Sequence, residues 1–120
     1  MLSETPVGLA ALALAEHERP AVPAHFDAEV YSAFRRRFRL GLIPRARLDA
    51  IVADLATLAA ERVGLRALLV EAHALADRVS VSDAFYLALA RSREVELVTC
   101  DGRFARGAAG LARIRLVAAA

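Results

Sequence analysis

Residues 80–104 read SVSDAFYLALARSREVELVTCDGRF. Asp83 opens an apolar helix pattern over Ser82 to Arg93, and Asp101 follows the short strand pattern ELVTC, Glu96 to Cys100. Such a helix rises about 18 Å at ~1.5 Å per residue. The strand runs back over about 16 Å at ~3.3 Å per residue. Helix out and strand back return Asp101 to the end where Asp83 began. In an open α/β sheet that end is the carboxyl edge of the strands, where ligands bind.

Each aspartate also has a plain structural reading. Ser80-x-x-Asp83 matches a capping box, and an acid is favourable near a helix N-terminus. Asp101-Gly102 is a common turn pair. Glu29 joins the same region if AVP, residues 21–23, is a strand, because it then lies in the first turns of the helix that follows. Alone it would be an exposed helix carboxylate. Two carboxylates about 4 Å apart repel by roughly 4 kcal/mol at an effective dielectric of ~20. Convergence therefore calls for a shared proton or a cation. Oxygen-only ligands favour Mg²⁺ or Mn²⁺ over zinc.

The rest of the chain supports an α/β class. Pro6 to His17 reads as an alanine-rich helix, closed by the turn around Pro20 and Pro23. Phe26, Val30, Phe34 and Phe38 mark one apolar stripe on a helix from His25 to Leu40. Gly41 ends it, and Pro44 fits the first turn of the next helix, which continues through Ile51, Leu55 and Leu58. RVGLR holds a brief strand, Leu68 to Arg78 a helix, and IRLV a last strand. A Gly-rich segment with a short helix joins ELVTC to IRLV. No repeat or linker divides the chain, and helices alternating with short strands argue for a mostly parallel sheet.

The 120 residues suffice for one domain, and 58% apolar with 25% charged residues describes a globular chain. The apolar run from Val7 to Ala15 is too short to span a bilayer, and with Glu4 before it makes a poor secretory signal. The expected location is cytoplasmic, with no membrane partner. A lone cysteine, Cys100, excludes an internal disulfide and a cysteine zinc cluster, and its apolar run predicts a buried, inert thiol. All 16 basic residues are arginines, and the net charge of +2 permits a polyanionic partner without demanding one.

Two stretches resemble the PIN-domain ribonucleases of the VapC toxin type. VPAHFDAEVYSAFRRRFRLG, residues 22–41, is similar to the family's second-acid helix, with its proline, its D-x-E-V and its arginine-rich end. Asp83-Ala84-Phe85-Tyr86-Leu87-Ala88-Leu89-Ala90 and Leu97-Val98-Thr99-Cys100-Asp101 resemble the family's Asp-Ala-x-Tyr-x-x-Leu-Ala helix and its Leu-Val-Thr-x-Asp strand end. With the intervening helices the resemblance covers nearly the whole chain. It implies an α/β/α sandwich with a short parallel sheet and a Mg²⁺- or Mn²⁺-dependent endoribonuclease site. It carries over Glu29, Asp83 and Asp101 as the catalytic and metal-site acids, with Thr99 as hydrogen-bonding support. RNA cleaved by metal-activated water is the implied substrate. A cognate antitoxin that blocks the groove is the implied partner, and homodimers are common in the family.

One departure stands out. The family opens on a central strand that ends in its first acid, whereas this chain starts with MLSETPVGLAALALA, similar to the family's segment beyond that strand. The chain is read as one PIN-like domain over 1–120, N-terminally incomplete and missing the family's first strand. Glu4 does not take over the acid's role. A start lying upstream, a decayed toxin, or another strand filling the gap would each account for it. Two function classes remain: an active metal-dependent ribonuclease, or a catalytically inactive PIN-like fragment that only binds an antitoxin or a homologous toxin. An unrelated helical interaction module would require the match from Asp83 to Asp101 to be accidental.

The other candidates are arginines. Arg35, Arg36, Arg37 and Arg39 form the densest positive patch. They read either as a solvated helix end meeting its dipole, or as a grip on RNA phosphates or an acidic antitoxin tail. Arg103 and Arg106 follow Asp101 and are phosphate-contact candidates. Phe26, Phe34, Phe85 and Tyr86 stand at helical spacing, which favours core packing over base stacking. His17, His25 and His73 form no ligand pattern, and catalysis by His25 is not expected.

Overall fold

The structure, a computed structural model, describes residues 12–14 and 20–117. In chain order its elements are β1 (Leu12–Leu14), β2 (Ala21–Pro23), α1 (Phe26–Arg39), α2 (Arg45–Thr57) and β3 (Glu61–Val63). A 3₁₀ turn (Leu65–Leu68) then leads into α3 (Leu69–Leu75), followed by α4 (Val81–Arg93), β4 (Glu96–Thr99), α5 (Gly102–Gly107) and β5 (Ile114–Leu116). The strands form one sheet in the order β3-β2-β1-β4-β5. The α/β class and the short strands agree with the sequence reading.

Two parallel pairs make up the flanks. β2 pairs with β3 from Ala21↔Glu61 to Pro23↔Val63, and β4 pairs with β5 from Leu97↔Ile114 to Thr99↔Leu116. β1 joins them, antiparallel to β2 at Ala13↔Ala21 and antiparallel to β4 from Leu12↔Val98 to Leu14↔Glu96. The central place that the resemblance assigns to the family's first strand is thus taken by a strand of opposite direction. The helix expected over Pro6 to His17 is corrected at Leu12–Leu14, which are strand; residues 6–11 and 15–17 lie outside the described residues. Leucine and alanine favour helix, but propensity is a weak prior. Seated between two strand edges, these three residues have ladder partners on both sides.

The orientation of the strands decides where the site forms. Because β1 opposes both neighbours, β2, β3, β4 and β5 all point the same way. The chain therefore leaves β2 into α1 and β4 into α5 at one edge of the sheet. α4 lies against β1, β2 and β4 and packs most extensively on α3, while α1 packs on α2. Ala84 and all five residues from Tyr86 to Ala90 are buried, so α4 is the helix most enclosed by the fold. Phe26, Val30 and Phe34 bury the stripe expected on α1, and Leu48, Ile51 and Leu55 do so on α2.

Helix ends are closed by chemistry legible in the residues. After α1, the Gly41 amide donates to the Phe38 carbonyl (2.9 Å) and the Leu42 amide to the Arg37 carbonyl (2.9 Å), the paired bonds of a Schellman ending. Gly41 sits at φ +75 to make them, with open space where a Cβ would be. Arg62 clamps β3 to the helices. It makes a two-pronged bond to Asp27 (2.8 and 3.0 Å) and donates to the carbonyls of Leu55, Leu58 and Ala60. The guanidinium's pKa is raised, chiefly by the Asp27 hydrogen bond.

Gly41 and Gly64 offer a clean contrast, since a Cβ meets nothing within 4 Å at either. Gly41→Ala is expected to cost about 1 kcal/mol, the strain of a left-handed alanine. Gly64 has an ordinary φ of −61, so Gly64→Ala should stabilise by about 0.5 kcal/mol through the unfolded chain. Urea unfolding of the two variants checks both signs.

Candidate active site

Glu29 stands in the first turn of α1, shortly after β2 ends. Its carboxylate reaches across to α4. The Tyr86 hydroxyl donates to Oε1 at 2.9 Å, and the Ser82 hydroxyl donates to Oε2 in a very short contact. His25 Nε2 lies 3.5 Å from Oε1. That same nitrogen is 3.1 Å from the Ser82 carbonyl and 3.1 Å from Ser82 Oγ. The imidazole packs edge-on to Phe85 (5.6 Å between centroids) and tilted against Tyr86 (5.1 Å).

Asp83 follows Ser82 on α4. Ser80 caps the helix, its Oγ accepting from the Asp83 amide at 3.1 Å, so the expected capping role is real. It is not the residue's whole situation. Burial pushes the Asp83 carboxyl above its ordinary value of 3.8; a Ser80 hydrogen bond pulls the other way, and the negative charges of Glu29 and then Asp101 add to the rise. Two acids from other elements therefore act on Asp83 at this edge. The Tyr86 hydroxyl is also pushed well above the ordinary tyrosine value, first by burial and then by Glu29, which keeps it a hydrogen donor.

Asp101 caps α5, its Oδ1 accepting from the amides of Arg103 (2.9 Å) and Phe104 (3.2 Å). Phe104 is buried and anchors the short helix. Thr99 lies beneath, fully buried, and its Oγ1 accepts from the Asp101 amide at 3.0 Å. That bond fixes the turn by which the chain leaves β4. Cys100 is corrected from a buried thiol to a half-exposed one, because the strand ends at Thr99 and the cysteine falls in the turn.

The arginines divide by place. Arg103 is exposed and Arg106 too, both close after Asp101, and Arg106 folds back over Gly102, where a Cβ would come within 3.1 Å of its guanidinium. Arg35, Arg36 and Arg39 line a shallow cleft with Ser32 and Leu40 at the other end of α1. Arg36 lies about 10 Å along the helix from Glu29 at ~1.5 Å per residue, while Arg37 is half-buried and does not line the cleft. Phe26, Phe34 and Tyr86 are buried as expected of core residues, though Tyr86 also turns its hydroxyl to Glu29. His73 is exposed; His17 and Glu4 lie outside the described residues.

Comparison with known proteins bears on this arrangement. The model of the PIN domain family matches residues 2–110. The chain belongs to the PIN-domain family. Among its relatives is Ribonuclease VapC12 of Mycobacterium tuberculosis (strain ATCC 25618 / H37Rv), 35% identical over 118 residues, which cover 98% of this chain and 92% of that protein. Ribonuclease VapC3 of the same strain is 42% identical over 84 residues, 70% of this chain. That match spans 61% of VapC3's own length. The α/β/α fold and the VapC-type kinship that the resemblance implied are thereby established.

An all-oxygen donor set under mutual repulsion fits a hard divalent cation in kind. Among the described residues, however, no three of these groups stand together at ligand spacing. Glu29 engages both oxygens with Ser82 and Tyr86, Asp83 bonds Ser80, and Asp101 accepts from two backbone amides. His25, Ser82 and Tyr86 are the site residues that sequence reasoning missed. The available signals were the i,i+4 spacings His25–Glu29 and Ser82–Tyr86, each of which puts two polar groups on one helix face.

The raised Asp83 carboxyl has a measurable consequence. It holds its proton more tightly folded than unfolded, so its contribution to stability is fully present below 3.8 and is lost as pH rises through the raised folded value. Asp83→Asn removes the buried charge. In metal-free buffer its Tm is expected to exceed the wild-type value at pH 7, and the gain should vanish as pH falls toward 3.8. Thermal melts across that range test it.

Proposed function

We propose that this chain is a divalent-metal-dependent endoribonuclease, the toxin of a toxin–antitoxin pair. The observation that carries the reading is the position of Asp83 at the carboxyl edge of the sheet, half-buried and within electrostatic range of both Glu29 and Asp101. A structural cap would have no need of two further carboxylates in range. The VapC relatives are named ribonucleases, which supports RNA as the substrate.

Asp83 and Asp101 would hold Mg²⁺ or Mn²⁺, with Glu29 as the third acid. Such an ion lowers the pKa of water and offsets charge on the reacting phosphate oxygens. The chain's own groups supply the rest. Arg103 and Arg106, beside Asp101, neutralise phosphates flanking the scissile bond, since guanidinium pairs bidentately with phosphate. Arg35, Arg36 and Arg39 offer a further phosphate contact along α1, a surface equally suited to the acidic segment of an antitoxin. Thr99 keeps Asp101 in place through its amide. No helix among the described residues is long and apolar enough to cross a membrane.

Cleavage of a mixed-sequence single-stranded RNA tests this directly. The wild-type chain with Mn²⁺ should cut it, and chelation should stop the reaction. Asp83→Asn and Asp101→Asn, each folded, should fall by at least about a hundredfold, a loss of roughly 2.7 kcal/mol of transition-state stabilisation. A folded chain that binds Mn²⁺ and RNA without cutting would leave the binding-only reading in its place.

A further inference from the structure

Resting on that reading, we propose that Ser82 and Tyr86, seated by His25, are positioning residues that orient Glu29 for metal binding. The directions of the bonds come from what each atom can donate. The Ser82 carbonyl can only accept, so His25 Nε2, 3.1 Å away, carries the hydrogen. The Ser82 hydroxyl is then free to give its own hydrogen to Glu29 Oε2. Tyr86, buried and protonated, gives its hydrogen to Oε1. His25 Nδ1 is buried with no hydrogen-bond partner among the described residues. It is therefore the bare lone pair of the ring, not a stranded donor, which agrees with Nε2 as the donating side.

The outcome is a carboxylate pinned at both oxygens by two donors from successive turns of one helix. Each carboxylate oxygen has two acceptor sites. One donor apiece uses half of them and leaves an open lone pair on each oxygen. The carboxylate can no longer rotate, so those remaining lone pairs keep a fixed direction. α4 carries Asp83 between the two donors, which ties the orientation of Glu29 to the position of its neighbouring acid. Second-layer hydrogen bonds of this kind commonly set the affinity of a metal site.

The test is Mn²⁺ calorimetry on the full chain. Ser82→Ala and Tyr86→Phe should each weaken binding about tenfold, the low end for loss of an outer partner. Ser82→Thr keeps the hydroxyl and should restore affinity to near wild type. Ser92→Ala removes a hydroxyl of the same helix that bonds only the Leu89 carbonyl, and should change nothing. Urea melts on each variant establish that it is folded. A Ser82→Ala affinity tighter than wild type would overturn the proposal, because the bonds would then withhold Glu29 from the metal. Unchanged affinity in folded Ser82→Ala and Tyr86→Phe would overturn it too, while leaving the metal-dependent function standing. A wild-type chain that takes up no Mn²⁺ would sink both together.

Discussion

Helix α4 is closed in by α3 on one side and by strands β1, β2 and β4 on another, and six of its residues between Ala84 and Ala90 are buried. A helix so enclosed has one axial position and one rotation. Its N-terminal turns present Ser82, Asp83 and Tyr86 at the sheet edge, where α1 and α5 begin. The site inherits its precision from that packing. Tyr86 shows the coupling most plainly, since one side chain fills the core with its ring and holds Glu29 with its hydroxyl. A cavity under α4 would therefore be felt in the chemistry as well as in stability.

The sheet imposes the second constraint. Short parallel pairs have few ladder bonds of their own, and β1 is what makes one sheet of two. It also keeps β2 and β4 in one direction, which is why Glu29 and Asp101 emerge at the same edge. The electrostatic consequence falls on Asp83, whose carboxyl is raised first by burial and further by the charges of Glu29 and Asp101. Folding holds like charges together there because the core beneath them leaves no other arrangement. A cation that entered would relieve the repulsion and so couple its binding to stability.

Much of this was legible in the residues. The helix-out, strand-back geometry of 80–104 placed Asp83 and Asp101 together, and the reading of AVP, residues 21–23, as a strand brought Glu29 to the same edge. β1 was not legible. Leucine and alanine carry helix propensity, and only two waiting strand edges make those three residues a strand. Cys100 was misread because one residue at a strand end decides between core and turn. The hydrogen bonds around Glu29 span 53 and 57 residues of sequence; the local i,i+4 spacings hint at a polar face on each helix without saying that the two faces meet. Serine, tyrosine and histidine each have commoner structural roles, and only the packing of α1 against α4 reveals these ones.

If three acids at one sheet edge form a divalent-metal site, the ion itself is the most direct witness. The measurement is an anomalous difference map, collected at the manganese edge, from crystals grown with millimolar Mn²⁺. A peak is expected between the carboxylates of Asp83 and Asp101, on the side that faces Glu29. No peak there, or manganese only at outlying carboxylates such as Asp49 or Asp54, would contradict the metal site.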